Sequence, residues 1–114
     1  ALQNMKVITE HKTAYITLTQ DELNSFNYVK GDTEGIVNYG LSIKGIVFAA
    51  IFIENKEEKI IKISFRSQGD FDVNQFARDY FNGGGHRNAA GGKSEVSMEE
   101  TIRKFEDLVT KLSI

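Results

Sequence analysis

Ile46-Val47-Phe48-Ala49-Ala50-Ile51-Phe52-Ile53, the charged stretch Glu54 to Lys59, and Ile60-Ile61-Lys62-Ile63-Ser64-Phe65 together decide the fold. The first run is apolar throughout and mostly β-branched or aromatic, the composition of a central strand covered on both faces. It is the longest apolar run in the chain, and it falls well short of the ~20 residues that a membrane-crossing helix needs. The second run alternates, with Ile61, Ile63 and Phe65 on one side and Lys62, Ser64 and Arg66 on the other. That spacing predicts a partner strand in a hairpin, with Glu54 to Lys59 as the solvated turn and Arg66 at the strand end.

On the N-terminal side, Thr13 to Leu18 alternates with Ala14, Ile16 and Leu18 on one face, the period of another strand. Thr19-Gln20-Asp21-Glu22 fits a capping box, and Leu23 and Phe26 begin an apolar stripe, so a short helix follows. Gly31-Asp32 interrupts the pattern, and Ile36, Val37 and Leu41 suggest a second helix ending near Gly40. On the C-terminal side, Asp72 caps a helix whose face is Val73, Phe76, Ala77, Tyr80 and Phe81, ended by Asn82-Gly83. A short strand is expected through Glu95-Val96. Ser97-Met98-Glu99-Glu100 then opens a last helix lined by Met98, Ile102, Phe105, Leu108, Val109 and Leu112. The sum is a single α/β domain over residues 1–114, with a mixed sheet of about four to five strands flanked by helices.

A chain of 114 residues suits one domain with its own core. Its 40% hydrophobic and 26% charged residues are ordinary for a soluble globular protein. With no cysteine, disulfides and thiolate metal sites are excluded, which fits the reducing cytoplasm, the expected location. Ala1-Leu2-Gln3-Asn4 has no basic region leading into an apolar one, as a secretion signal would; the chain reads as the C-terminal part of a longer one. A net charge of −2 argues against holding nucleic acid by a broad basic surface. Positive charge is local: from Ile60 to Lys93, Lys62, Arg66, Arg78, Arg87 and Lys93 outnumber Asp70, Asp72 and Asp79.

The most unusual segment is Gly83-Gly84-Gly85-His86-Arg87-Asn88-Ala89-Ala90-Gly91-Gly92, where glycine and alanine fill seven of ten positions. Ordering a glycine costs about 0.5–1 kcal/mol more than ordering alanine in regular structure, so five of them need a reason. One is a nest of backbone N–H groups around a phosphate oxygen, with His86 and Arg87 adding charge-assisted hydrogen bonds. The other is a helix cap, a loop and tight chain packing. Composition weighs the two equally, and the polar pair inside the loop favours the first. Spacing excludes two better-known phosphate loops. A Walker A reading of Gly92-Lys93-Ser94 would put its first glycine at Arg87, and a dinucleotide fingerprint from Gly83 would put its third at Asn88.

Gly83-Gly84-Gly85-His86, downstream of Ser64-Phe65-Arg66-Ser67 and the helix start Asp72-Val73-Asn74, resembles the DHH-associated C-terminal domain of DHH-family phosphoesterases. The nearest likeness is to the branch of oligoribonuclease (nanoRNase) and adenosine 3′,5′-bisphosphate phosphatase enzymes. Thr33-Glu34-Gly35-Ile36-Val37-Asn38 resembles the helix before the family's central strand. The resemblance implies a two-lobed enzyme whose N-terminal catalytic domain carries an Asp-His-His motif and two manganese ions. The C-terminal lobe then grips the phosphates of short RNA or of a phosphorylated nucleotide. By that likeness Gly83, Gly84, Gly85 and His86 match the binding loop, Arg66 matches the arginine at the strand end, and Ser67, Arg87 and Asn88 complete the candidate site. No catalytic residue is expected within this chain: it has no Asp-His-His segment, and neither of its two histidines, His11 and His86, has the set of neighbouring carboxylates that a two-metal site requires. His11 reads as a solvated surface residue, Lys62 and Lys93 as solubilising residues at the site's rim, and Glu34 and Asn38 as helix-surface residues. Hydrolysis of polyphosphate or a cyclic dinucleotide, or a non-enzymatic interaction module, remain alternatives.

Overall fold

The chain, seen as a computed structural model, is described at residues 4–26 and 30–112, with side chains at 25, 26 and 30–33 outside that description. Six strands form one mixed sheet: β1 (Met5–Ile8), β2 (Thr13–Leu18), β3 (Phe48–Asn55), β4 (Ile60–Ser67), β5 (Gly84–His86) and β6 (Ala89–Ser94). Their spatial order is β1-β2-β3-β4-β6-β5. Only β2 and β3 run parallel. Four helices flank it: α1 (Gln20–Phe26), α2 (Lys30–Ser42), α3 (Val73–Tyr80) and α4 (Met98–Val109).

The mixed α/β architecture matches the expectation, and the strand count exceeds it by β1 and β5. Strand β1 pairs antiparallel with β2, Met5 opposite Ile16, and its Lys6 and Val7 face solvent, so it carries little hydrophobic signal. The hairpin β3–β4 is in the predicted place, with Asn55 opposite Ile60. The strand placed at Glu95-Val96 is instead β6, ending at Ser94; its alanines and glycines are poor strand formers that pairing with β4 overrides. Gly31-Asp32 lies inside α2, which also runs past Gly40 to Ser42. Gly40 does not terminate the helix; it is buried against the sheet, where an added Cβ would make ordinary contact with Ile16 at 3.5 Å and Ala49 at 3.7 Å. The predicted Phe26 contact lies outside the described residues.

All three expected caps are formed. Glu22 N donates to Thr19 Oγ1 while Thr19 N donates to Glu22 Oε1. Gln75 N donates to Asp72 Oδ1, and Glu100 N donates to Ser97 Oγ. Alternation sorts the sheet into two sides. Tyr15, Phe48, Phe52, Ile63 and Phe65 meet Phe76 and Phe81, at the end of α3, and Phe105 of α4 in the main core. Ile16, Leu18, Ala49 and Ile51 meet Val37 of α2 in a smaller aliphatic one. Tyr80, expected on the buried face of α3, is 42% exposed.

Candidate functional site

Helix α2 packs on β2, β3 and β4, and the sheet continues beyond it through β6 and β5. Residues directly opposite one another in antiparallel strands project to the same side. On the α2 side this gives three rows. The first is Arg66 opposite Ala89 opposite His86; the second is Ser64 opposite Gly91; the third is Lys62 opposite Lys93. Gly84, opposite Gly91, departs from this alternation at the sheet edge, since an added Cβ would meet Asn74 Oδ1 at 3.3 Å and Arg78 Nε at 3.4 Å on α3. Arg66 and His86 are thus two strand spacings apart, about 10 Å between Cα atoms.

Arg66 sits one residue before the end of β4, as the alternation predicts. Its Nη1 donates to Phe65 O at 2.9 Å, and its Nη2 lies 3.4 Å from Glu34 Oε1 on α2. The guanidinium is therefore braced on the side of α2, and Glu34, read from sequence as a helix-surface residue, is the brace. The carboxylate is 60% exposed against 20% for the arginine side chain, so an arriving anion can displace it at little cost. His86 and Arg87 are exposed at the end of β5 and in the turn after it.

The glycine segment is a hairpin, and its amides do not form the expected nest. Gly83 N donates to Ala77 O at 3.1 Å, closing the end of α3. Gly85 N points out of the sheet edge and donates to Asn74 Oδ1 at 2.8 Å. Amides alternate along an antiparallel edge strand, so those of Gly84 and His86 turn toward β6. The glycines answer to close packing. A Cβ on Gly83 would lie 1.8 Å from Gly91 O, one on Gly85 2.7 Å from Ala89 O, and one on Gly92 2.9 Å from Phe81. Any anion held here is held by side chains.

Ser67 and Asn88 hold the hairpin's turn. Ser67 is buried, at 4% exposure. Its hydroxyl donates to Phe71 O at 2.6 Å and accepts from Asn88 Nδ2 at 2.8 Å. Ser67 N donates to Asn88 O, and Val73 N donates to Arg87 O. The turn carrying Arg87 is thereby tied to the end of β4 and the start of α3.

Two features had no sequence signal. Asn74 sits in the first turn of α3 and caps the edge strand, a role that only the packing of α3 beside β5 creates. On the far side of the sheet, the Tyr15 hydroxyl donates to Glu106 on α4. Burial, then that hydrogen bond and the charge of Glu106, push the tyrosine hydroxyl well above its usual range. His11 is half-buried rather than solvated, and its Nδ1 is shielded without a hydrogen-bond partner, because it closes the 3-10 turn Thr9–His11 that packs beside β2. Among the described residues, no three His, Cys, Asp or Glu side chains are grouped as a metal ion would require, so these residues do not fit a two-manganese centre. No helix among them is long and apolar enough to cross a membrane.

The family described as DHHA1 domain matches residues 11–112. An exopolyphosphatase-related protein from Bacteroides fragilis has a similar structure, with 47% identity and a TM-score of 0.89 over 96% of this chain and 32% of its own. A pGpG-specific phosphodiesterase from Vibrio cholerae aligns with a TM-score of 0.62 at 13% identity, over 96% of this chain and 35% of its own. An uncharacterized protein from Helicobacter pylori G27 aligns at 0.56 and 22%, over 86% and 26%. The latter two likenesses are of fold alone. No curated protein matches the sequence significantly. The chain spans about a third of the length of the first of these structures.

Proposed function

Since the chain belongs to the DHHA1 domain family, we propose that it is the substrate-binding domain of a DHH phosphoesterase acting on short oligoribonucleotides or nucleotide 3′-phosphates. The observation that carries this reading is the row Arg66–Ala89–His86 on the side of the sheet that α2 leaves open. Arg66, with two guanidinium nitrogens in a planar fork, makes a bidentate contact to one phosphate once Glu34 gives way. His86 and Arg87 hold the same group or its neighbour. Ala89 between them keeps the floor low enough for the ligand to touch both.

Gly83, Gly84 and Gly85 contribute by letting the hairpin close, and Ser67 and Asn88 by fixing the turn that presents Arg87. The domain positions its ligand, and a catalytic domain of the same chain, where the manganese of the family would reside, does the chemistry. The absence of a cysteine fits a cytoplasmic setting. A second substrate class, inorganic polyphosphate, is favoured by the 47% identity to a protein described as exopolyphosphatase-related.

The test is calorimetric titration of the chain with a 5′-phosphorylated diribonucleotide, and in parallel with tripolyphosphate. Arg66→Ala and His86→Ala should each weaken the preferred ligand about tenfold or more, the worth of a charge-assisted hydrogen bond at roughly 1.5–3 kcal/mol. Melting temperatures should stay near the parent's, since both side chains lie outside the core. Unchanged affinity in both variants would remove the site.

A further inference from the structure

We infer that Lys62 and Lys93 form a second anion subsite, which takes a phosphate further along the same ligand than the one at Arg66 and His86. This rests on the reading of that row as a phosphate grip. The two lysines stand directly opposite each other in the β4–β6 register, with Cβ atoms about 5 Å apart on one side of the sheet. Like charges so placed repel, and the protein does little to neutralise them. Lys62 Nζ lies 3.3 Å from Glu58 Oε1 with both side chains more than half exposed, a pair of small worth. Lys93 forms no ion pair among the described residues.

Both lysines line a groove of about 480 Å³ whose floor includes Ser64, Gly84 and Gly91. Gly91 is not demanded by packing in the way Gly83 and Gly92 are, since an added Cβ would meet nothing closer than Ile63 O at 3.4 Å. Its effect is a low floor between two positive ends. Lys62 and Arg66 are four residues apart in one strand, about 13 Å. A lone phosphate occupies one end, and a chain of phosphates spans both. The domain therefore prefers ligands with at least two separated phosphates, from an oligoribonucleotide or from inorganic polyphosphate.

The experiment measures affinities of the parent chain, Arg66→Ala, the double variant Lys62→Ala/Lys93→Ala and the double variant Lys62→Arg/Lys93→Arg. The probes are a 5′-phosphorylated mononucleotide, a 5′-phosphorylated tetraribonucleotide and a linear polyphosphate long enough to cover the ~13 Å between the two ends. The alanine pair should weaken one of the two longer ligands about tenfold and leave the mononucleotide unchanged, while the arginine pair retains affinity. The alanine pair's slope of log affinity against log salt should shrink by roughly 1 for each lysine removed. Loss confined to the tetraribonucleotide identifies RNA as the source of the second phosphate, and loss confined to the linear polyphosphate identifies polyphosphate. Equal weakening of short and long probes, or no weakening of either long one, overturns the subsite. If Arg66→Ala abolishes binding while the lysine pair changes nothing, the phosphate grip stands and only the subsite falls; if the parent binds none of the probes, both fall.

Discussion

The two sides of the sheet are built differently. On the side of α3 and α4, Phe48, Phe52, Phe65, Phe76, Phe81 and Phe105 interlock with ring centroids 5.0 to 6.5 Å apart. On the α2 side the core is aliphatic and ends at β3, and beyond it β4, β6 and β5 present Arg66, His86, Lys62 and Lys93 over a floor of small residues. Stability resides in the first side, which leaves the second free to keep polar groups that bury poorly. A sheet covered fully on both faces would leave no open polar surface.

Phe105→Ala is the strongest test of this division. Phe105 is fully buried, 5.0 Å from Phe52 and 5.7 Å from Phe48 by ring centroid. Its truncation should cost about 3–5 kcal/mol, read as a lower midpoint in urea unfolding. Any ligand affinity per folded molecule should be unchanged, and a parallel loss of specific affinity would break the separation of the two sides.

Asn74→Ala acts on the seam between them. It removes the acceptor for Gly85 N–H at the edge of β5 and should cost about 1 kcal/mol, less than a buried loss because water can replace the carbonyl. Faster amide exchange at Gly85 would show that the asparagine, rather than the ladder alone, protects that edge.

The smallest effect concerns Tyr15. Its hydroxyl pKa is raised in the folded chain by burial first and then by Glu106, so the folded state favours the protonated form. Its contribution is complete below the unfolded value of ~10 and is lost as pH rises above it. In pH-dependent unfolding, Tyr15→Phe should flatten the decline in stability above that value, apart from a constant loss at lower pH from the missing hydrogen bond to Glu106. An identical alkaline decline in parent and variant would place the titrating group elsewhere.

Much of the frame is legible residue by residue. Side-chain period and capping chemistry are local, so β2, the β3–β4 hairpin, α3, α4 and the caps at Thr19, Asp72 and Ser97 follow from neighbours in sequence. Arg66 was placed correctly near a strand end for the same reason. The glycine segment was misread as a nest because composition cannot say which chain an exposed amide will meet. Gly83 and Gly92 are small for the sake of Gly91 O and Phe81, contacts that exist only after α3 has folded beside β6. Lys62 and Lys93 are thirty-one positions apart in the chain, and nothing short of the β4–β6 register brings them face to face.

By itself, then, the order of residues determined which segments are helix or strand and which of their faces are apolar, since those depend on torsions and periodicities within a few positions. It also pointed to Arg66 and His86 through a family resemblance. Only the tertiary structure decided that β6 and β5 extend the sheet past α2, that the amides of Gly83 and Gly85 are satisfied within the protein, and that Arg66 and Lys62 stand opposite Ala89 and Lys93 in the strand register. Pairing between distant strands sets those positions, and its registry is a property of the whole packed sheet.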